Sequence, residues 1–142
     1  ATIDWRLDTK RPSAAGSFTE WSGAYTAVDE VQLDAGDVNA TNTDGNRFSF
    51  NTTDLTAGNL GARVIKAVAL FSRGAVTPDA TVVDFQHMTR VSATNYFSSN
   101  LGHIKDGGLR AKTTIYETNP NTSIAWTLSE VNGAEFGYKA VV

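Results

Sequence analysis

The sequence predicts an all-β domain, an antiparallel β-sandwich with one short helical turn near residues 127–133. Two observations lead there. Gly, Thr, Asn and Ser recur every few residues, and the apolar runs between them are short and β-branched or aromatic, as in a chain of short strands separated by turns. Second, 142 residues without cysteine must be held by a core alone, and one domain of that size buries roughly 70% of its unfolded surface.

The elements follow in order. Ile3, Trp5 and Leu7 alternate with Thr2, Asp4 and Arg6 as a strand, 2–7. Residues 8–23 hold Pro12, Gly16 and one large apolar residue before Trp21, namely Phe18, and predict a long loop or arm. The chain therefore divides into an N-terminal strand with arm or linker, 1–20, and a sandwich domain, 21–142. Polar punctuation at 34–37 and 42–46 brackets a strand over 38–41, and Arg47-Phe48-Ser49-Phe50 alternates as another. Asp54-Leu55-Thr56-Ala57-Gly58 is a turn before the most apolar segment, 63–71. There Val64, Val68 and Leu70 oppose Ile65, Ala67, Ala69 and Phe71, which predicts a central strand covered on both faces, with a short helix as the competing form.

Further strands are expected at 81–88, 91–97 and 109–117, the last introduced by the turn Asp106-Gly107-Gly108. Thr127 and Glu130 form a capping box, and Asn132-Gly133 stops the helical turn that it opens. Ala134, Phe136, Tyr138, Ala140 and Val142 then alternate with Glu135, Gly137 and Lys139. The predicted core is Trp126, Phe136 and Tyr138, with Phe136, Tyr138 and Ala140 on one face.

Charge and composition exclude several functions. The net charge is −3 and the twelve Lys and Arg are scattered, so no basic groove for nucleic acid is expected. No apolar run is long enough to span a bilayer, and no charged lead with an apolar run suggests a signal peptide. Ala1-Thr2 suits a cytosolic product that lost its initiator methionine, with a trimmed secreted form left open. The absence of cysteine removes disulfides, thiolate zinc sites and cysteine nucleophiles together.

Chemistry-bearing candidates are few. His87 and His103 are the two histidines, and neither accompanies a Gly-x-Ser-x-Gly elbow, so both read as structural. A hydrolase built on carboxylate pairs is the weakest of three readings. The acidic cluster Asp34, Asp37 and Asp44 invites a loop calcium site. A helix-loop-helix alignment fails there, because it places Ala40 at the first ligand and Asn51 at the bidentate glutamate. Three Asn-x-Ser/Thr triplets, at Asn39, Asn51 and Asn121, are close to chance in a chain this rich in Asn and Thr. Trp5, Trp21 and Tyr25 are candidate glycan or partner contacts, against the reading that such aromatics fill core and interface.

One set of residues carries a resemblance. Trp21-Ser22-Gly23-Ala24-Tyr25-Thr26 leads to Asp29-Glu30, and Arg47-Phe48 and Asp54-Leu55 follow. Tyr116, Asn119-Pro120, Thr122, Ala125-Trp126-Thr127, Val131-Asn132, Phe136-Gly137 and Lys139 close the chain. Over roughly 19–142 this resembles a family of small structural proteins of tailed bacteriophages. It implies a jelly-roll-like sandwich and a non-enzymatic virion component of decoration, collar or fibre-associated type. The implied location is the virion, assembled in the host cytoplasm, and the implied partners are capsid, collar or tail proteins together with further copies of the chain. A glycan- or receptor-binding module of a tail fibre is the alternative. The N-terminal arm is expected either to add to a neighbour's sheet edge or to fold back on its own domain.

Overall fold

The computed structural model describes residues 6–29, 36–76, 84–102 and 110–142. Its strands are β1 (Pro12–Thr19), β2 (Arg47–Thr52), β3 (Val68–Gly74), β4 (Asp84–Val91), β5 (Thr94–Phe97), β6 (Arg110–Tyr116) and β7 (Glu135–Val141). They make a five-stranded sheet in the order β1-β2-β7-β4-β5 and a two-stranded ribbon, β3-β6. Every pairing is antiparallel. This is the all-β sandwich that the turn-punctuated sequence predicts.

β7 runs through the middle of the large sheet, between β2 and β4. Its alternation, read cleanly from sequence, sets the two faces. Phe136 pairs with Phe50 and Thr89, and Tyr138 with Phe48 and His87, all on the inner face. Gly137 pairs with Ser49 and Met88 on the outer face. A Cβ on Gly137 would collide with the backbone of Phe48 and Ser49, so β2 and β7 approach as closely as they do only because that position has no side chain.

Against the inner face lies the core of Leu70, Val91, Trp126, Ala134 and Phe136, with Phe50, Ile65, Val68, Tyr96, Tyr116 and Val131 packed on it. Trp126 is 3% exposed, and its indole N–H donates to the Tyr116 carbonyl at 3.1 Å, so the one polar atom of the ring is satisfied. What positions it is a corner centred on Asn119, which is fully buried. The Asn119 N–H donates to the Ile124 carbonyl, its own carbonyl accepts from Thr122 and Ser123, and its Oδ1 accepts from the Asn121 N–H. The next turn is capped as predicted: Thr127 Oγ1 accepts from the Glu130 N–H at 3.2 Å, and Glu130 accepts from the Thr127 N–H at 2.8 Å. Helix α2 (Leu128–Gly133) follows.

Several expectations are corrected. Residues 12–19, read as loop or arm, form β1 on the edge of the chain's own sheet. The register moves from Ala15↔Phe50 to Thr19↔Phe48, so Gly16, Ser17 and Phe18 bulge opposite Ser49. That bulge destroys the alternation that would have announced the strand. Of the predicted strand at 2–7, residues 2–5 lie outside the described residues, and Arg6 and Leu7 are not in a strand. The segment 38–41 makes a single bridge, Ser22↔Ala40. The apolar segment 63–71 is extended only from Val68, and β3 lies in the ribbon with β6 as its one partner, covered on one face. The turn at Asp54 continues into a helical turn, α1 (Ala57–Leu60), and Tyr25–Ala27 is a 3-10 turn. The strand expected at 91–97 splits, because Ser92 and Ala93 turn with φ of 49° and 66° and β5 begins at Thr94. The turn at 106–108 lies outside the described residues.

Two substitutions test this packing. Trp126→Ala should cost about 3–5 kcal/mol in chemical denaturation. Gly137→Ala should lower the melting temperature sharply, whereas Gly133→Ala, where an added Cβ meets nothing within 4 Å, should not. Equal melting temperatures for the two glycine variants would refute the close approach of β2 to β7.

Candidate functional site

The aromatic residues expected to face a glycan are occupied within the fold. The Trp21 indole N–H donates to the Asn46 carbonyl at 3.0 Å, and its ring lies 4.6 Å from that of Tyr138. Tyr138 in turn stacks on Phe48 and meets Phe50 edge-on. Asn39 donates to the Tyr138 hydroxyl at 2.8 Å, and burial pushes that phenol up to about 12. Trp21 thus covers Tyr138 on the inner sheet face. Tyr25 is half-buried in the neighbouring 3-10 turn, and Trp5 lies outside the described residues.

His87 is 1% exposed and sits between the two layers. Its Nε2 lies 2.7 Å from Ser72 Oγ on β3, and its Nδ1 lies 2.8 Å from Thr114 Oγ1 on β6. One ring nitrogen donates and the other accepts, and each hydroxyl can serve either role, so a neutral imidazole is satisfied in either tautomer. The ring is a polar peg joining the sheets. His103 lies outside the described residues. Of the acidic cluster, Asp34 also lies outside them, and Asp44 Oδ1 accepts from the Val142 N–H at 3.2 Å. Among the described residues no three His, Asp or Glu side chains come together as metal ligands.

On the outer face of the large sheet Glu135 ties down the β1 bulge. Its carboxylate accepts from the Ser17 N–H at 2.7 Å, Ser17 Oγ at 2.6 Å and Ser49 Oγ at 2.7 Å, and lies 3.6 Å from Arg90 Nε. Burial alone would raise its pKa; the Ser17 and Ser49 donors, with Arg90, outweigh burial and lower it. Phe18 is held between the guanidinium groups of Arg47 and Arg90, 3.9 and 5.4 Å from its ring centre. Sequence reasoning missed this anchor, because nothing in the spacing of Ser17, Ser49 and Glu135 shows that they meet.

The outer face of the ribbon carries two of the exposed large apolar side chains, Phe71 and Ile115. Ala69 pairs with Ile115, Phe71 with Thr113 and Arg73 with Ala111. All six side chains point away from the core, and Phe71 and Ile115 are 62% and 63% exposed. They are diagonal neighbours on one face, so their apolar surfaces are contiguous. The same two-sided apolar pattern that suggested a doubly buried strand thus becomes one buried stripe, Val68 and Leu70, and one exposed stripe.

The residues that carry the resemblance map onto the scaffold. Trp21 and Phe48 belong to the Tyr138 cluster, Asn119 and Trp126 to the corner, and Gly137 to the close strand approach. The Leu55 N–H donates to Asn132 Oδ1, and Asn132 Nδ2 donates back to the Leu55 carbonyl, both at 2.9 Å. No helix among the described residues is long and apolar enough to cross a membrane. These features define a β-sandwich whose smaller sheet carries two neighbouring exposed apolar side chains, Phe71 and Ile115, on its outer face. Comparison of the chain with protein-family models, curated proteins and solved structures finds no match.

The peg makes stability depend on pH. Burial pushes His87 from its ordinary 6.5 down to about 4. Between those values the unfolded chain takes up a proton that the folded protein refuses. Stability from this residue is therefore full above pH 6.5, falls as pH drops toward 4 and is flat below it, a loss of about 3 kcal/mol. Urea denaturation of the native chain and of His87→Gln across that window should show the steeper fall in the first, the lowered carboxylates contributing to both; equal slopes would contradict the assignment.

Proposed function

We propose that this chain is a non-enzymatic structural protein of a tailed-bacteriophage virion, decorating or joining the head or tail through contacts of its β-sandwich. The observation that carries this reading is the contiguous exposed face of Ala69, Phe71 and Ile115 on the ribbon. Contiguous exposed apolar side chains on one sheet face are what an assembling subunit presents to a neighbour. Two supports stand beside it. The residues that resemble the phage family serve as scaffold, as expected of a family united by architecture rather than by a reaction. The described histidine is locked between the layers by two hydroxyl groups, which suits a structural peg.

Such a protein would travel with particles and would have capsid, collar or tail proteins and other copies of itself as partners. The glycan-binding alternative has less to rest on, since Trp21 is committed to Tyr138 and Asn46.

Particles purified from the source, labelled with an antibody to this chain and imaged by electron microscopy, should carry label at one fixed position. Phe71→Asp combined with Ile115→Asp should leave the melting temperature within a few degrees, because both side chains already face solvent. The same double variant should abolish attachment to particles. Unlabelled particles would remove the virion assignment, and normal attachment of the double variant would remove the ribbon face.

A further inference from the structure

We infer that the outer face of the β3–β6 ribbon pairs with the same face of a second copy of this chain, about a two-fold axis that runs across the strands. The inference rests on the reading of the ribbon face as the contact and names its occupant.

The stripe has a polarity that selects this arrangement. Along β3 the outward positions are Ala69, Phe71 and Arg73, with exposed Ala67 just before the strand; along β6 they are Ala111, Thr113 and Ile115. Glu117 follows β6 directly, in a bend, and is exposed. A cation therefore bounds the apolar stripe at one end and an anion bounds it at the other. They are separated by the six residue steps from Ala67 to Arg73, about 20 Å of extended chain.

An isologous face-to-face contact has two choices of axis. An axis parallel to the strands would bring the two Arg73 ends together and the two Glu117 ends together. An axis across the strands brings each Arg73 to the end that carries the partner's Glu117. The same operation, centred near Leu70, sets each Phe71 over the partner's Ala69, with Ile115 alongside. A large side chain then meets a small one, and the stripes interdigitate. The charges and the sizes favour the same axis independently.

The contact is small. Two strands of seven residues present a face of about 23 Å by 10 Å, below the area of a standard stable interface. Pairing should therefore be weak and concentration-dependent, and weaker still in high salt.

Sedimentation velocity over a range of concentrations tests this on the full chain. The native protein should self-associate. Arg73→Glu and Glu117→Arg should each weaken association about tenfold, since a two-fold contact repeats the repulsion. The double variant, with the charges exchanged, should regain near-native association. Circular dichroism and melting temperatures should match throughout. A chain that stays monomeric at the highest concentration overturns the pairing, as does association indifferent to either reversal or not restored by the exchange. If Phe71→Asp with Ile115→Asp blocks particle attachment while the native chain never dimerises, the pairing falls and the ribbon-face reading stands. If charge-exchange rescue is seen but particles carry no label, the pairing stands and the virion reading falls.

Discussion

An inner sheet face five strands wide has to be covered, and the opposing ribbon supplies only two strands. Much of the rest of the structure follows from that mismatch. The ribbon places Val68, Leu70 and Tyr116 against part of the large sheet, and His87 is pegged there between Ser72 and Thr114. Trp126 fills the remaining end of the core, delivered by the Asn119 corner and the capped turn. Elsewhere on that face Trp21 lies on Tyr138, with the Ser22–Ala40 bridge and the Asn39–Tyr138 hydrogen bond bracing the connection.

The edges of the large sheet are managed by different means. β1 carries a bulge, and Glu135 gathers Ser17 and Ser49 beneath it, so the edge strand is held by charge-assisted hydrogen bonds where ladder pairing lapses. β5 is four residues long and closes through a two-residue turn. Both devices discourage further strands from adding there. The ribbon has neither a bulge in its pairing nor a charge in the middle of its outer stripe.

What was legible in the sequence was what local rules control. The capping box at Thr127 and Glu130, the alternation of β7, the burial of Trp126 and Phe136, and the all-β class are set by side-chain period and by hydrogen bonds between near neighbours. The candidate surface was half legible: Phe71 and its neighbours stood out as apolar, but the pattern reads the same whether one face is covered or both.

Tertiary structure decided the rest, because it depends on groups distant in sequence. Residues 12–19 become a strand only where Glu135 and Ser49 hold their bulge, 118 and 31 residues away from Ser17 and Phe18 respectively. The split at Ser92-Ala93 uses left-handed backbone without glycine, so composition did not announce it. Whether β3 was central or peripheral turned on its pairing with β6, forty-odd residues later, and that pairing left Phe71 and Ile115 on the surface. Periodicity can say that a stripe is apolar; only the packing of the sheets says which stripes are buried.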